Sequence, residues 1–225
     1  MNQATTRETR VTGLAEPTWE IAYLFPYQGC WSEDEYLALN GNQLVEFSHG
    51  RLEVLPMPTT SHQQLVAWLF GLLMALDPDG DLGTALMAPL RVRLWPGKIR
   101  EPDVVFMLRK HAHRIGEEFW KGADLVMEIV SGSAEARRRD LVIKRREYAR
   151  AGIAEYWIID PETEQVIVLR LVGKRFAVHG KFSKGTAATS HLLPGFTVDV
   201  SELFARATAR TKEKARRNAK RPPRQ

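Results

Sequence analysis

The chain has 225 residues, with 32 Lys and Arg, 27 Asp and Glu, and one cysteine, Cys30. That length and an ordinary apolar fraction suit one globular domain with its own core, and a lone cysteine excludes an intramolecular disulfide or a cysteine-only zinc site. No basic head with an apolar core opens the chain, and its longest strongly apolar stretch, 65–76, is too short to span a bilayer, so the expectation is a cytoplasmic protein with no membrane partner.

The charge is unevenly placed. From Arg206 onward nine Lys and Arg face one acid, Glu213, so residues 1–205 hold 23 bases and 26 acids and the net charge of +5 belongs to the tail. A basic arm of this kind attracts polyanions through counterion release without reading sequence, or serves as a disordered solubilising end. The expected organisation is a lead-in over 1–30, one folded domain over 31–205, and a basic tail over 206–225.

Ser32-Glu-Asp-Glu35 is a capping box that opens a short helix ending near Asn40-Gly41. Two short alternating runs between Leu44 and Leu55 flank Ser48-His-Gly50, a hairpin signal, and Pro56 and Pro58 then end the second strand. Ser61-His-Gln-Gln64 resembles a second capping box, and apolar residues at 65, 66, 69, 72, 73 and 76 predict a helix to Leu76. The stretch 86–95 reads as one strand, with Arg91 and Arg93 on one face.

Glu101-Pro-Asp103 leads into the apolar run 104–108, and 111–122 is polar, a loop with one helical turn. Residues 125–130 form a buried strand interrupted by Glu128. Ser131-Gly-Ser133 then caps an Arg-rich helix from about 134 to 151, which Gly152 ends. Strand 155–160 turns at Pro161 into an antiparallel return over 165–171, 176–179 adds an edge strand at most, and 193–207 closes the domain. Strands that mostly sit together with inserted helices give an α/β sheet of mixed direction.

A carboxylate inside an apolar strand costs several kcal/mol unless a cation or strong donors meet it. Asp103 and Glu128 stand on consecutive strands that can pair, and facing carboxylates can hold Mg²⁺ or Mn²⁺, which polarises a phosphodiester and activates water. Asp103 also reads simply as a strand-entry residue, and Glu128 as the partner of a buried base. Asp140, Lys144 and Tyr148 share one helix face; Lys144 is either half of a surface pair with Asp140 or an ammonium turned toward the carboxylates. His111-Ala-His113 with Glu117 lacks a third strong ligand for zinc, and His62 reads as a helix-start or site-edge residue. No nucleophile elbow or phosphate-binding glycine loop is present.

Pro102-Asp103, Glu128-Ile-Val-Ser131, Asp140-Leu-Val-Ile-Lys144, Tyr148 and Gly152-Ile-Ala-Glu-Tyr-Trp-Ile-Ile-Asp-Pro161 together resemble the Uma family of endonucleases, within the PD-(D/E)XK restriction-endonuclease-like superfamily. The likeness extends to Val45-Glu-Phe47 with Gly50 and to Ser61-His62, covering about 32–205. It implies a restriction-endonuclease-like mixed β-sheet flanked by helices. It also implies Glu46, Asp103 and Glu128 as acidic site residues binding Mg²⁺, with Lys144 replacing the lysine that the superfamily carries two residues after the second acid, where Val130 stands. His49 occupies a position where Asp is common, as a turn substitution. The expected activity is Mg²⁺-dependent hydrolysis of DNA. The alternatives are a nucleic-acid-binding protein that keeps the fold without catalysis, and an assembly module such as a homodimer.

Overall fold

The structure, a computed structural model, describes residues 26–39 and 44–206. The expected end of the first helix at Asn40-Gly41, most of the lead-in, and the tail beyond Arg206 lie outside these residues. Strand β8 (Leu125–Ile129) is central to a six-stranded sheet ordered β11-β10-β9-β8-β6-β3. Strand β6 (Val104–Leu108) pairs antiparallel to it and β9 (Glu155–Asp160) parallel. A parallel pair needs a crossover, and the Arg-rich helix α3 supplies it. This helix runs through Ala134–Arg138, a π-helical stretch Arg139–Lys144, and Arg145–Arg150. Ser133 Oγ caps its start by accepting from Ala136 N, and Gly152 beyond its end has φ +79°, a conformation that favours glycine.

Both sheet faces are covered, which is why β6, β8 and β9 are apolar almost throughout. On one face Leu65, Val66, Leu69 and Leu73 of helix α2 (Thr60–Leu76) pack on Val104, Phe106, Leu125, Met127 and Ile129. A last helix, α4, over 200–206, joins them through Leu203 and Phe204. The other face gathers Val105, Met107, Val126 and Val130 under Tyr148 and Ala149 of α3. Each fully buried aliphatic or aromatic side chain here is worth about 1.5–3 kcal/mol.

A second sheet, ordered β2-β1-β5-β4-β7, lies beside α3, its last strand being the two-residue β7 (Trp120–Lys121). Its hairpin joins β1 (Val45–Ser48) to β2 (Arg51–Val54) through His49 and Gly50, at φ +47° and +79°. Two successive positive φ angles match the primed two-residue turn that the twist of a hairpin prefers. A Cβ on Gly50 would stand 2.5 Å from the carbonyl oxygen of Gly29, so glycine is required there twice over. Phe47 points into a third cluster with Trp31, Tyr36 and Ile99, anchored by helix α1 (Glu33–Leu37) and its Ser32–Glu35 capping box. Glu46, one residue earlier, therefore points the opposite way, toward α3.

Three expectations need correction. Residues 86–95 are not one strand: β3 (Gly83–Met87) joins the six-stranded sheet and β4 (Val92–Trp95) the five-stranded one. Pro89 between them has no N–H to continue a ladder. Helix α2 starts at Thr60 under an N-cap from Thr59, whose Oγ accepts from His62 N, so Ser61 lies inside the helix. Strand β11 (Arg175–Ser183) is nine residues long and pairs with all of β10 (Gln165–Val172), far more than an edge fragment.

Candidate active site

Val104 pairs with Met127 across β6 and β8, so one step further the antiparallel register sets Asp103 opposite Glu128. Both acids line a cleft of about 350 Å³ at the end of the sheet, together with His62, Glu101, Arg139, Asp140 and Lys144. Asp103 is fixed from two sides: Ile129 N–H donates to Oδ2 at 2.7 Å, and His62 Nε2 lies 2.9 Å from Oδ1. His62, a residue of the first turn of α2, thus touches the site directly.

Lys144 is the hub. Its Nζ donates to Glu128 Oε1 at 2.9 Å and stands 3.4 Å from Glu46 Oε1 and 3.5 Å from Asp140 Oδ1, while its side chain is only 3% exposed. The surface-pair reading of Asp140 and Lys144 is thereby corrected: both are buried, brought inward along the π-helical stretch, a kind of irregularity common at functional sites. Tyr148, one turn on, also donates its hydroxyl to Glu128 Oε1. Both hydrogen bonds of Glu128 fall on that oxygen, and Glu128 lines the cleft.

Glu46 sits one layer behind. Its neighbour across β1 and β5 (Lys98–Arg100) is Arg100, whose Nη1 donates to Glu46 Oε2. Glu101 N donates to the other oxygen at 3.3 Å. Arg100 is held in turn by Glu147 of α3 through its Nε (2.8 Å) and Nη2 (3.1 Å), and Lys98 lies 2.7 Å from the same carboxylate. Glu46 is thus engaged at both oxygens and is not among the cleft-lining residues.

The acids differ in electrostatic state. Burial pushes Glu46 up, but Lys144 and Arg100 outweigh it and hold the carboxyl at about 2. Burial pushes Glu128 up to about 8, against the pull of Lys144 and reinforced by Asp103, Asp140 and Glu46. Glu101, buried near Glu46, is raised to about 7, and Asp140 is also raised, chiefly by burial. Lys144 is raised despite burial because Glu128, Glu46 and Asp140 surround it.

Such a site suits a hard cation. Asp103, Glu128 and Asp140 crowd three carboxyl groups into the cleft beside Lys144, a repulsion that a bound cation would relieve, and Asp140 Oδ1 is buried with no hydrogen-bond partner among the described residues. Among those residues no three His, Cys, Asp or Glu form a ready-made metal cage. Mg²⁺ needs none, since it takes one or two carboxylates and keeps its waters.

The other candidates have structural roles. His111 Nδ1 lies 2.8 Å from Asp124 Oδ1, and Arg114 and Leu108 N meet the same carboxylate. The arginines of α3 are more engaged than a solvated charge run: Arg137 binds Asp160 and Glu162, Arg139 binds Glu53, and Arg150 lies over Trp95. Sequence reasoning missed Arg100 and the Tyr148 hydroxyl as site partners. The signal for Arg100 was available, because Lys98 and Arg100 flank Ile99 on one face of a short strand, and two cations buried there demand acids opposite them.

The architecture is that of a nuclease fold. It matches "a putative nuclease belonging to DUF820 from Anabaena variabilis ATCC 29413" with a TM-score of 0.65 at 18% identity, over 79% of this chain and 99% of that one. The sequence matches the Uma2 family, described as "Putative restriction endonuclease", across residues 33–201, and the chain belongs to that family. No curated protein matches it. Among the described residues no helix is long and apolar enough to cross a membrane.

Proposed function

We propose that this protein is a Mg²⁺-dependent endonuclease that hydrolyses DNA phosphodiester bonds. The observation that carries the reading is the meeting of Asp103, Glu128 and Lys144 at one cleft from three elements separated in sequence. Asp103 and Glu128 hold the ion (Mn²⁺ is an alternative), which when bound polarises the phosphoryl oxygen and lowers the pKa of water. Ile129 N–H and His62 fix the aim of Asp103; Tyr148 and Lys144 hold Glu128 by one oxygen. The Lys144 ammonium, its side chain 3% exposed, offsets the charge that develops on the phosphorane. Glu46, expected from family resemblance among the metal ligands, is better placed as the counter-charge that keeps Lys144 protonated and in position, with Arg100 locking it from behind.

Plasmid nicking tests this. Wild type should nick supercoiled DNA with Mg²⁺ and stop in EDTA, and Asp103→Asn and Asp103→Ala should each lose about a hundredfold or more in rate. Equal nicking by wild type and variants rejects the proposal.

A further inference from the structure

The cleft has a second wall of quite different chemistry. Leu55, Pro56, Met57 and Pro58, between β2 and α2, line it, and Met57 is 74% exposed. Pro161, at the end of β9, extends the apolar lining. Among the described residues the only cations lining the cleft are Arg139 and Lys144, and both are drawn into ion pairs with carboxylates. A duplex would present a ridge of phosphates to this opening, and a duplex-binding surface meets such a ridge with several exposed Lys or Arg. Here the lining offers the carbon of Leu55–Pro58 and Pro161 beside the uncharged hydroxyls of Thr59, Ser61 and Ser131. The acids are also recessed, with the Glu128 side chain 4% and the Asp103 side chain 13% exposed, so the scissile phosphate must descend between the walls.

We infer that the cleft accepts a nucleotide of an unpaired strand, its base resting on the Leu55–Pro58 wall while its phosphate reaches Asp103 and Glu128. Stacked, paired bases cannot turn to that wall, whereas an unpaired base offers an apolar face that side chains of this kind hold without sequence preference. An unbranched, polarizable methionine adapts to any of the four bases. The volume is that of a small-molecule pocket, not of a duplex groove. This inference rests on the nuclease reading for the orientation of the strand, but the binding surface can be tested without turnover.

The test is fluorescence anisotropy of the full chain with a short labelled oligonucleotide, single-stranded or annealed to its complement, with Ca²⁺ in place of Mg²⁺ at fixed moderate salt. Met57 is exposed, so Met57→Ser should leave the melting temperature unchanged. The variant should bind the single strand about fivefold more weakly and the duplex as wild type does. Unchanged single-strand binding, or an equal loss for the duplex, overturns the inference. Neither outcome depends on hydrolysis, which the Asp103 variants judge separately.

Discussion

Lys144 Nζ stands 2.9 Å from Glu128 Oε1, although one residue comes from a helix and the other from the middle of an apolar strand. Each makes the other's burial tolerable. A strand carboxylate 3% exposed and a helix ammonium 2% exposed would each cost several kcal/mol alone, and together they fix the register of α3 on the sheet. Lys144→Met should therefore lower stability by about 3–5 kcal/mol in urea denaturation, because Glu128, Glu46 and Asp140 lose their shared cation. Lys144→Arg should not restore wild-type stability, since a planar guanidinium cannot occupy a point surrounded on three sides. A variant as stable as wild type would show that the cluster is not held through this lysine.

Glu46 and Arg100 form a unit. Either single change, Glu46→Gln or Arg100→Met, takes away one of its partner's ion pairs in a buried setting, leaving Arg100 to Glu147 or Glu46 to Lys144, whereas the double variant removes both charges. A double-mutant cycle by urea denaturation should give a coupling of about 1–3 kcal/mol, with the double variant more stable than the sum of the singles. Strict additivity would mean that the two charges do not depend on each other.

Glu128 should leave a pH signature in the metal-free protein. Its carboxyl ionises at about 8 when folded against an ordinary value of 4.5, so the folded state keeps a proton that the unfolded chain releases. Its contribution to stability is full below pH 4.5 and is lost as pH rises through the window from 4.5 to about 8. Glu101, raised to about 7, adds a decline of the same sign over a shorter window. Chemical denaturation in EDTA should show stability falling less steeply with pH in Glu128→Gln than in wild type. Parallel slopes would contradict the assignment.

A cation that binds the folded protein alone stabilises it by mass action, by about 2.7 kcal/mol at a hundred times Kd. Mg²⁺ or Mn²⁺ should raise the melting temperature of wild type and leave that of Asp103→Asn unchanged. A rise of equal size in both would place the bound ion elsewhere.

The strand and helix periods were legible because burial enforces them: α2 and β8 follow their apolar patterns closely. Glu128 could be picked out because a charge inside an apolar strand needs a partner, whereas the helical period left Lys144 open between a surface pair with Asp140 and a site ammonium, and family resemblance favoured the second. What local pattern could not give was layering. Glu46 belongs to a different sheet from Asp103 and Glu128, and only the tertiary packing of β1 against α3 shows that it reaches Lys144 from behind. The break at Pro89 was visible as a residue, but the transfer of the chain between two sheets is decided by packing. His62 was likewise readable as a helix-start residue, while its approach to Asp103 depends on how α2 crosses the sheet.

The most direct test is a crystal soaked in Mn²⁺ and examined by anomalous scattering. The account predicts one strong peak in the cleft within about 2.0–2.4 Å of carboxylate oxygens from both Asp103 and Glu128. No peak there, or an ion bound only by other residues, would contradict it.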